Sequence, residues 1–125
     1  MVKDNTHKIK AKNQKMYDLT YVFEIGEANK DFLKTIIELF IQHTPIAIEE
    51  IKESFLIKDY ETIRKTAHRI KPSINSLRID SISDEIKALS KFDKEKMSDR
   101  EIKKAIDKID MVIREVVNEL IQIKF

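Results

Sequence analysis

The residues of this 125-residue chain best suited to chemistry lie close together in TAHRIKPSINSL, Thr66 to Leu77. His68 stands three residues before Lys71, and Pro72 follows at once. An imidazole can act as base, metal ligand or nucleophile, and its neighbours decide which. Other reactive types are scarce. There is no cysteine, so disulfides, thiolate metal sites and cysteine nucleophiles are excluded together. Gly26 is the only glycine, so glycine-rich phosphate cradles, dinucleotide fingerprints and nucleophile elbows cannot be built. The other histidines are His7, in a polar segment, and His43, beside Pro45 and read as structural.

The elements that must position His68 follow from the spacing of apolar residues. Isoleucine, leucine, lysine and glutamate at helical spacing, with almost no glycine, predict an all-α domain. Residues 1–16 are polar, lysine-rich and aperiodic, and read as a flexible basic tail. In YDLTYVFEI, Asp18 is a cap ahead of Leu19, Val22 and Phe23, predicting a short helix ended near Gly26. From Asn29 a long helix carries Leu33, Ile36, Ile37, Phe40, Ile41, Ile48, Ile51 and Phe55. Pro45 lies within it and is expected to kink rather than end it, because the apolar stripe resumes afterwards.

Asp59 caps the next helix, where Ile63, Ala67, Ile70, Ile74 and Leu77 form a seam in steps of four and three. A shorter segment after Asp80 carries Ile82, Ile86, Leu89 and Phe92. The last helix opens on a Ser98–Glu101 capping box and holds Ile102, Ile106, Ile109, Ile113, Val116, Leu120 and Ile123 in one seam. Four striped helices joined by short turns predict an antiparallel up-down four-helix bundle over residues 17–125, with the short extra helix at its N-terminal end.

The seam fixes where His68 points. With Ile63 at zero and about 100° per residue, Lys71 falls near 80°, Arg64 near 100°, Asn75 near 120° and His68 near 140°. His68 is therefore expected on the exposed side, in a strip of cations and donors without a carboxylate from its own helix. A triad histidine needs such a partner, so hydrolytic catalysis is disfavoured. Flanking cations favour a dianionic phosphoryl group once it is attached to the ring. The outline is that of a phosphoryl acceptor.

AHRIKPSINSL resembles the motif of histidine-containing phosphotransfer (HPt) domains, His-x-x-Lys-Gly followed by small residues on an exposed helix face. Residues 17–125 fit that family's layout of a short first helix, a proline-kinked second helix and two helices after the motif. The resemblance implies that His68 is phosphorylated, that Lys71 contacts the phosphoryl group, and that Ser73 is one of the small residues after the motif. Arg64, Pro72, Ser73 and Asn75 form the site periphery, and Arg78 and Ile79 a docking edge. Pro72 stands where the family has glycine, and Arg78 where a second glycine often follows the leucine matched by Leu77. Pro72 is read as a compact residue that lets a partner approach.

With no nucleotide-binding motif, the chain is expected neither to bind ATP nor to phosphorylate itself. It is read as a non-enzymatic phosphocarrier without a cofactor. The resemblance makes the partners response-regulator receiver domains and hybrid histidine kinases, with Mg²⁺ on the receiver. Arg64, Lys65, Arg69, Lys71 and Arg78 against Glu61 give the His68 helix a charge suited to an acidic pocket. The alternative is a helical protein–protein docking module without phosphotransfer, binding through exposed apolar residues such as Ile79.

The remaining classes are weakly supported. Lysine and arginine number 24 against 22 acidic residues, a formal net charge of +2, and no aromatic interleaving or helix-turn-helix pattern points to nucleic acid. The longest uncharged run, Leu39 to Ile48, is about half the ~20 apolar residues of a membrane span. The first fifteen residues lack the apolar core of an export signal. A cytoplasmic, monomeric protein without membrane or nucleic-acid partners is expected.

Overall fold

A computed structural model describes residues 16–93 and 95–125. Those residues are all-α: α1 (Thr20–Ile25), α2 (Lys30–Leu56), α3 (Tyr60–Ser76), α4 (Ser83–Ser90) and α5 (Asp99–Ile121), with a 3-10 turn at Asp80–Ile82 leading into α4. None of these helices is long and apolar enough to cross a membrane. The tail expected over residues 1–16 lies outside the described residues, Met16 excepted.

The predicted start signals are used. Asn29 Oδ1 accepts from the amides of Asp31 and Phe32 at 2.8 and 3.0 Å. Asp59 Oδ1 accepts from the Thr62 amide at 3.1 Å, and its Oδ2 from the Thr62 hydroxyl at 2.7 Å. The capping box is complete, with Ser98 Oγ accepting from the Glu101 amide at 3.2 Å and Glu101 Oε1 from the Ser98 amide at 2.9 Å. These bonds satisfy amides that the first helical turn leaves without partners. Asp18 differs slightly from expectation. It accepts from the Thr20 amide at 2.9 Å, while Leu19 occupies the cap position.

Helix α1 ends at Ile25 with Gly26 as its C-cap, as expected, but glycine does not supply the left-handed turns. Helices α1, α2 and α3 each end with a left-handed residue that is not glycine: Glu27 (φ 57°), Lys58 (φ 61°) and Arg78 (φ 53°). In each case the following residue's amide reaches back to close the last turn: Ala28 to Phe23, Asp59 to Ser54, and Ile79 to Ile74. Gly26 has an ordinary negative φ of −90°. Its lack of a side chain serves close approach instead, because a Cβ there would overlap the Phe32 ring.

Both prolines lie inside helices that continue through them, Pro45 in α2 and Pro72 in α3. The seams become one core. Ile63, Ala67, Ile70, Ile74 and Leu77 of α3 are buried against Ile37, Phe40, Ile48 and Ile51 of α2, Ile86 and Leu89 of α4, and the α5 seam from Ile102 to Leu120. Full burial of an isoleucine contributes about 1.5–3 kcal/mol, so this isoleucine-rich interior is the main stabilising term. Helix α2 packs on α3 and α5, α4 packs on α3 and α5, and α1 lies against α2.

Two expectations are corrected at the edges. Phe92 lies beyond the end of α4 and packs edge-on to Tyr60, with ring centroids 6.2 Å apart. Ile123 lies past the end of α5 and is only half-buried.

Candidate functional site

Helix α3 is held on one side and open on the other. Its seam is buried, while His68, Arg69, Pro72, Ser73 and Asn75 are exposed and Arg64 and Lys71 are half-buried. The seam orients the helix, so its registry alone sends His68 outward. Among the described residues, the His68 side chain forms no hydrogen bond or ion pair. The ring has no orienting carboxylate and is free to meet a reactant from solvent.

The cations around it are not equivalent. Arg69 donates to Glu50 of α2 at 3.0 Å. Arg64 donates from Nη2 to Oε1 of Glu61, one turn earlier on α3. Lys65 Nζ lies 3.8 Å from the other oxygen of Glu61. Lys71 has no carboxylate partner among the described residues, which leaves its charge available to an incoming anion. Glu61 corrects the expectation of a strip without a carboxylate. At seven residues, two helical turns, before His68 it occupies the same flank, and that spacing in the sequence was the signal for it.

The predicted periphery divides into two groups. Arg64, Lys71 and Asn75 share the His68 flank through their i−4, i+3 and i+7 positions. Ser73 lies away from that flank, and with Pro72, which is one turn beyond His68 at i+4, it lines a groove of about 630 Å³ between α2 and α3, opposite Leu39, His43 and Ile46. Leu39 and Ile46 are large, exposed apolar residues. The uncharged run Leu39 to Ile48, too short for a membrane span, thus supplies one wall of this groove.

The docking edge is also corrected. Arg78 is exposed, with its guanidinium 5.7 Å from the centroid of the Tyr21 ring. Ile79 is only 1% exposed and belongs to the core. The left-handed turn at Arg78 swings the next side chain inward, which helical extrapolation from α3 could not foresee. The apolar surface beside the site comes from α2.

Among the described residues, no group of three His, Cys, Asp or Glu side chains is placed to hold a metal ion. Chemically, the α3 surface offers an imidazole and, one turn on, an ammonium that are both without partners among the described residues, and a guanidinium engaged by a carboxylate one turn back. Comparison with family models, curated proteins and solved structures finds no match for this chain.

Proposed function

We propose that the chain is an HPt-like phosphocarrier in which His68 accepts a phosphoryl group from the aspartyl phosphate of one receiver domain and passes it to another. The observation that carries this reading is the pairing of an exposed, unpartnered His68 with a Lys71 free of any described carboxylate, on a helix whose opposite face is buried. The closed cycle of contacts from α2 through α3, α4 and α5 back to α2 is compatible with the antiparallel up-down bundle of that family. The positive φ of Arg78 also suits a position where the family often has glycine.

In the transfer, a ring nitrogen lone pair forms a bond to phosphorus while the acyl P–O bond of the donor breaks. The aspartate leaves as carboxylate, and the other ring nitrogen carries the imidazole proton. Lys71 faces the charge of the transferred group without taking part in bond making. Any Mg²⁺ belongs to the receiver. The chain is proposed to act as a cytoplasmic monomer, without ATP chemistry of its own and without nucleic-acid or membrane partners.

The groove beside Pro72, with exposed Leu39 and Ile46, favours a second reading in which the domain docks a partner without phosphotransfer. Incubation with a panel of phosphorylated receiver domains separates the two. Acid-labile label mapping to His68, and lost in a folded His68→Gln variant, is the expected result. Label persisting in His68→Gln would overturn the assignment, and receiver binding without any transfer would establish the docking module.

A further inference from the structure

Arg64 lies between a carboxylate and the proposed phosphoryl acceptor on one helix flank. Glu61 lies three residues before it and His68 four residues after it, both one turn away and at the spacing where side chains meet. In the structure the guanidinium is bound to Glu61. Glu61 has a second cation at hand, since Lys65 Nζ stands 3.8 Å from its other oxygen. Release of Arg64 therefore leaves Glu61 compensated rather than isolated. A phosphoryl group on His68 would bring about two negative charges and three acceptor oxygens, where Glu61 offers one charge. Guanidinium favours that acceptor because its planar fork can donate two parallel hydrogen bonds to phosphoryl oxygens.

We propose that Arg64 is a phosphoryl-binding residue held in reserve, exchanged from Glu61 to the His68 phosphoryl group on phosphorylation, with Lys65 taking over Glu61. This rests on the phosphocarrier reading and adds a regulated member to its site. Lys71 is available before transfer, whereas Arg64 becomes available only by leaving its carboxylate. Arg64 then holds the phosphoryl oxygens in the ground state. Charge on those oxygens falls as the P–N bond loosens toward a metaphosphate-like transition state, so the contact slows hydrolysis.

The test uses phosphoramidate as a small donor, so no partner protein is needed. A His68 ring nitrogen bonds to phosphorus, the P–N bond of the donor breaks, and ammonia leaves and takes up the proton released by the ring. Uptake rate, lifetime of the phosphorylated protein and its phosphorus-31 chemical shift are compared across variants. Arg64→Ala should shorten the lifetime about five-fold and move the chemical shift, and Arg64→Lys should restore part of both. At low donor concentration Glu61→Gln should speed uptake about two- to three-fold, because an Arg64 freed in advance attracts the anionic donor to the site. The double variant Glu61→Gln/Arg64→Ala should match Arg64→Ala alone. An unchanged lifetime in Arg64→Ala, with His68 labelled normally, would overturn the exchange and leave the phosphocarrier reading standing. Equal acceleration by Glu61→Gln with and without Arg64 would also overturn it, since Glu61 would then act only as a distant charge. Failure of the unaltered protein to label at His68 would overturn both.

Discussion

The amide of Ile79 donates to the carbonyl of Ile74 at 3.1 Å, across a turn in which Arg78 takes φ 53°. That bond ends the site helix and buries the next side chain. A left-handed conformation costs a side chain with a Cβ about 1 kcal/mol relative to glycine. Against this, Arg78 gains about 0.5 kcal/mol from its exposed contact with the Tyr21 ring. Arg78→Gly should therefore raise the thermal midpoint slightly. Lys58 also has positive φ, but its ammonium is 2.7 Å from Asp99 and 4.9 Å from the Phe55 ring centroid. Lys58→Gly loses both contacts and should gain less than Arg78→Gly. The reverse order in parallel melting curves would count against the assigned geometry.

Burial of Ile79 separates stability from recognition. Ile79→Ala should cost about 2–4 kcal/mol in urea unfolding, as expected for a fully buried isoleucine. Leu39→Ala and Ile46→Ala, on the exposed groove wall, should change stability far less. A stability change within 0.5 kcal/mol, roughly the range typical of surface sites, for Ile79→Ala would place that side chain outside the core.

Stability should fall at both ends of the pH range for separate reasons. Hydrogen bonds from the Thr62 hydroxyl and amide hold Asp59 below its ordinary 3.8, and bonds from the Thr20 side chain and amide do the same for Asp18. Bonds from the Ser98 amide and hydroxyl lower Glu101 from 4.5. A folded value below the unfolded one gives stability that is present above the unfolded value and lost as pH falls through the folded one. At the other end, the bond to Asp99 is the largest cause raising both Tyr60 above 10.0 and Lys58 above 10.5. Their contribution is complete below those values and is lost as pH rises through the raised ones. Unfolding midpoints should therefore be flat between about pH 5 and 9. Asp59→Asn should flatten the acid limb and Tyr60→Phe the alkaline limb. Unchanged limbs in both variants would mean that other groups control them.

The sequence reveals most where one residue's local rule and the core demand the same thing. Asp59, Asn29 and Ser98 cap as read, because a side-chain acceptor beside an apolar-periodic run has few other uses. The α3 seam gives the exposure of His68 without reference to any other helix. Legibility fails where an interaction needs a side chain's reach or a second helix. Glu61 joins the His68 flank at a seven-residue spacing, two turns away, where only a long side chain such as Arg64 bridges the gap. The groove could not be seen because it joins Pro72 and Ser73 to Leu39 and Ile46 across the α2–α3 packing. Ile79 departs from helical extrapolation because only the left-handed backbone at Arg78 turns it inward.

Pro72 gives the sharpest separation between folding and transfer. It lacks an amide hydrogen, so the His68 carbonyl four residues earlier is denied its helical partner. A proline in an unrelaxed helix interior costs about 3 kcal/mol, but only Ser73 to Ser76 of α3 follow it. The short remaining turn can adjust, so Pro72→Ala should gain about 1 kcal/mol in chemical unfolding rather than the full amount. Pro72 lines the groove one turn beyond His68 and offers neither charge nor donor to a phosphoryl group, so labelling of His68 by phosphoramidate should change less than about two-fold. Transfer from receiver domains is the informative contrast, because a receiver must lie over the surface that Pro72 shapes. Reduced receiver transfer with normal phosphoramidate labelling would assign Pro72 to docking. Loss of labelling by both donors, in a variant that remains folded, would show that the freed His68 carbonyl positions the imidazole itself.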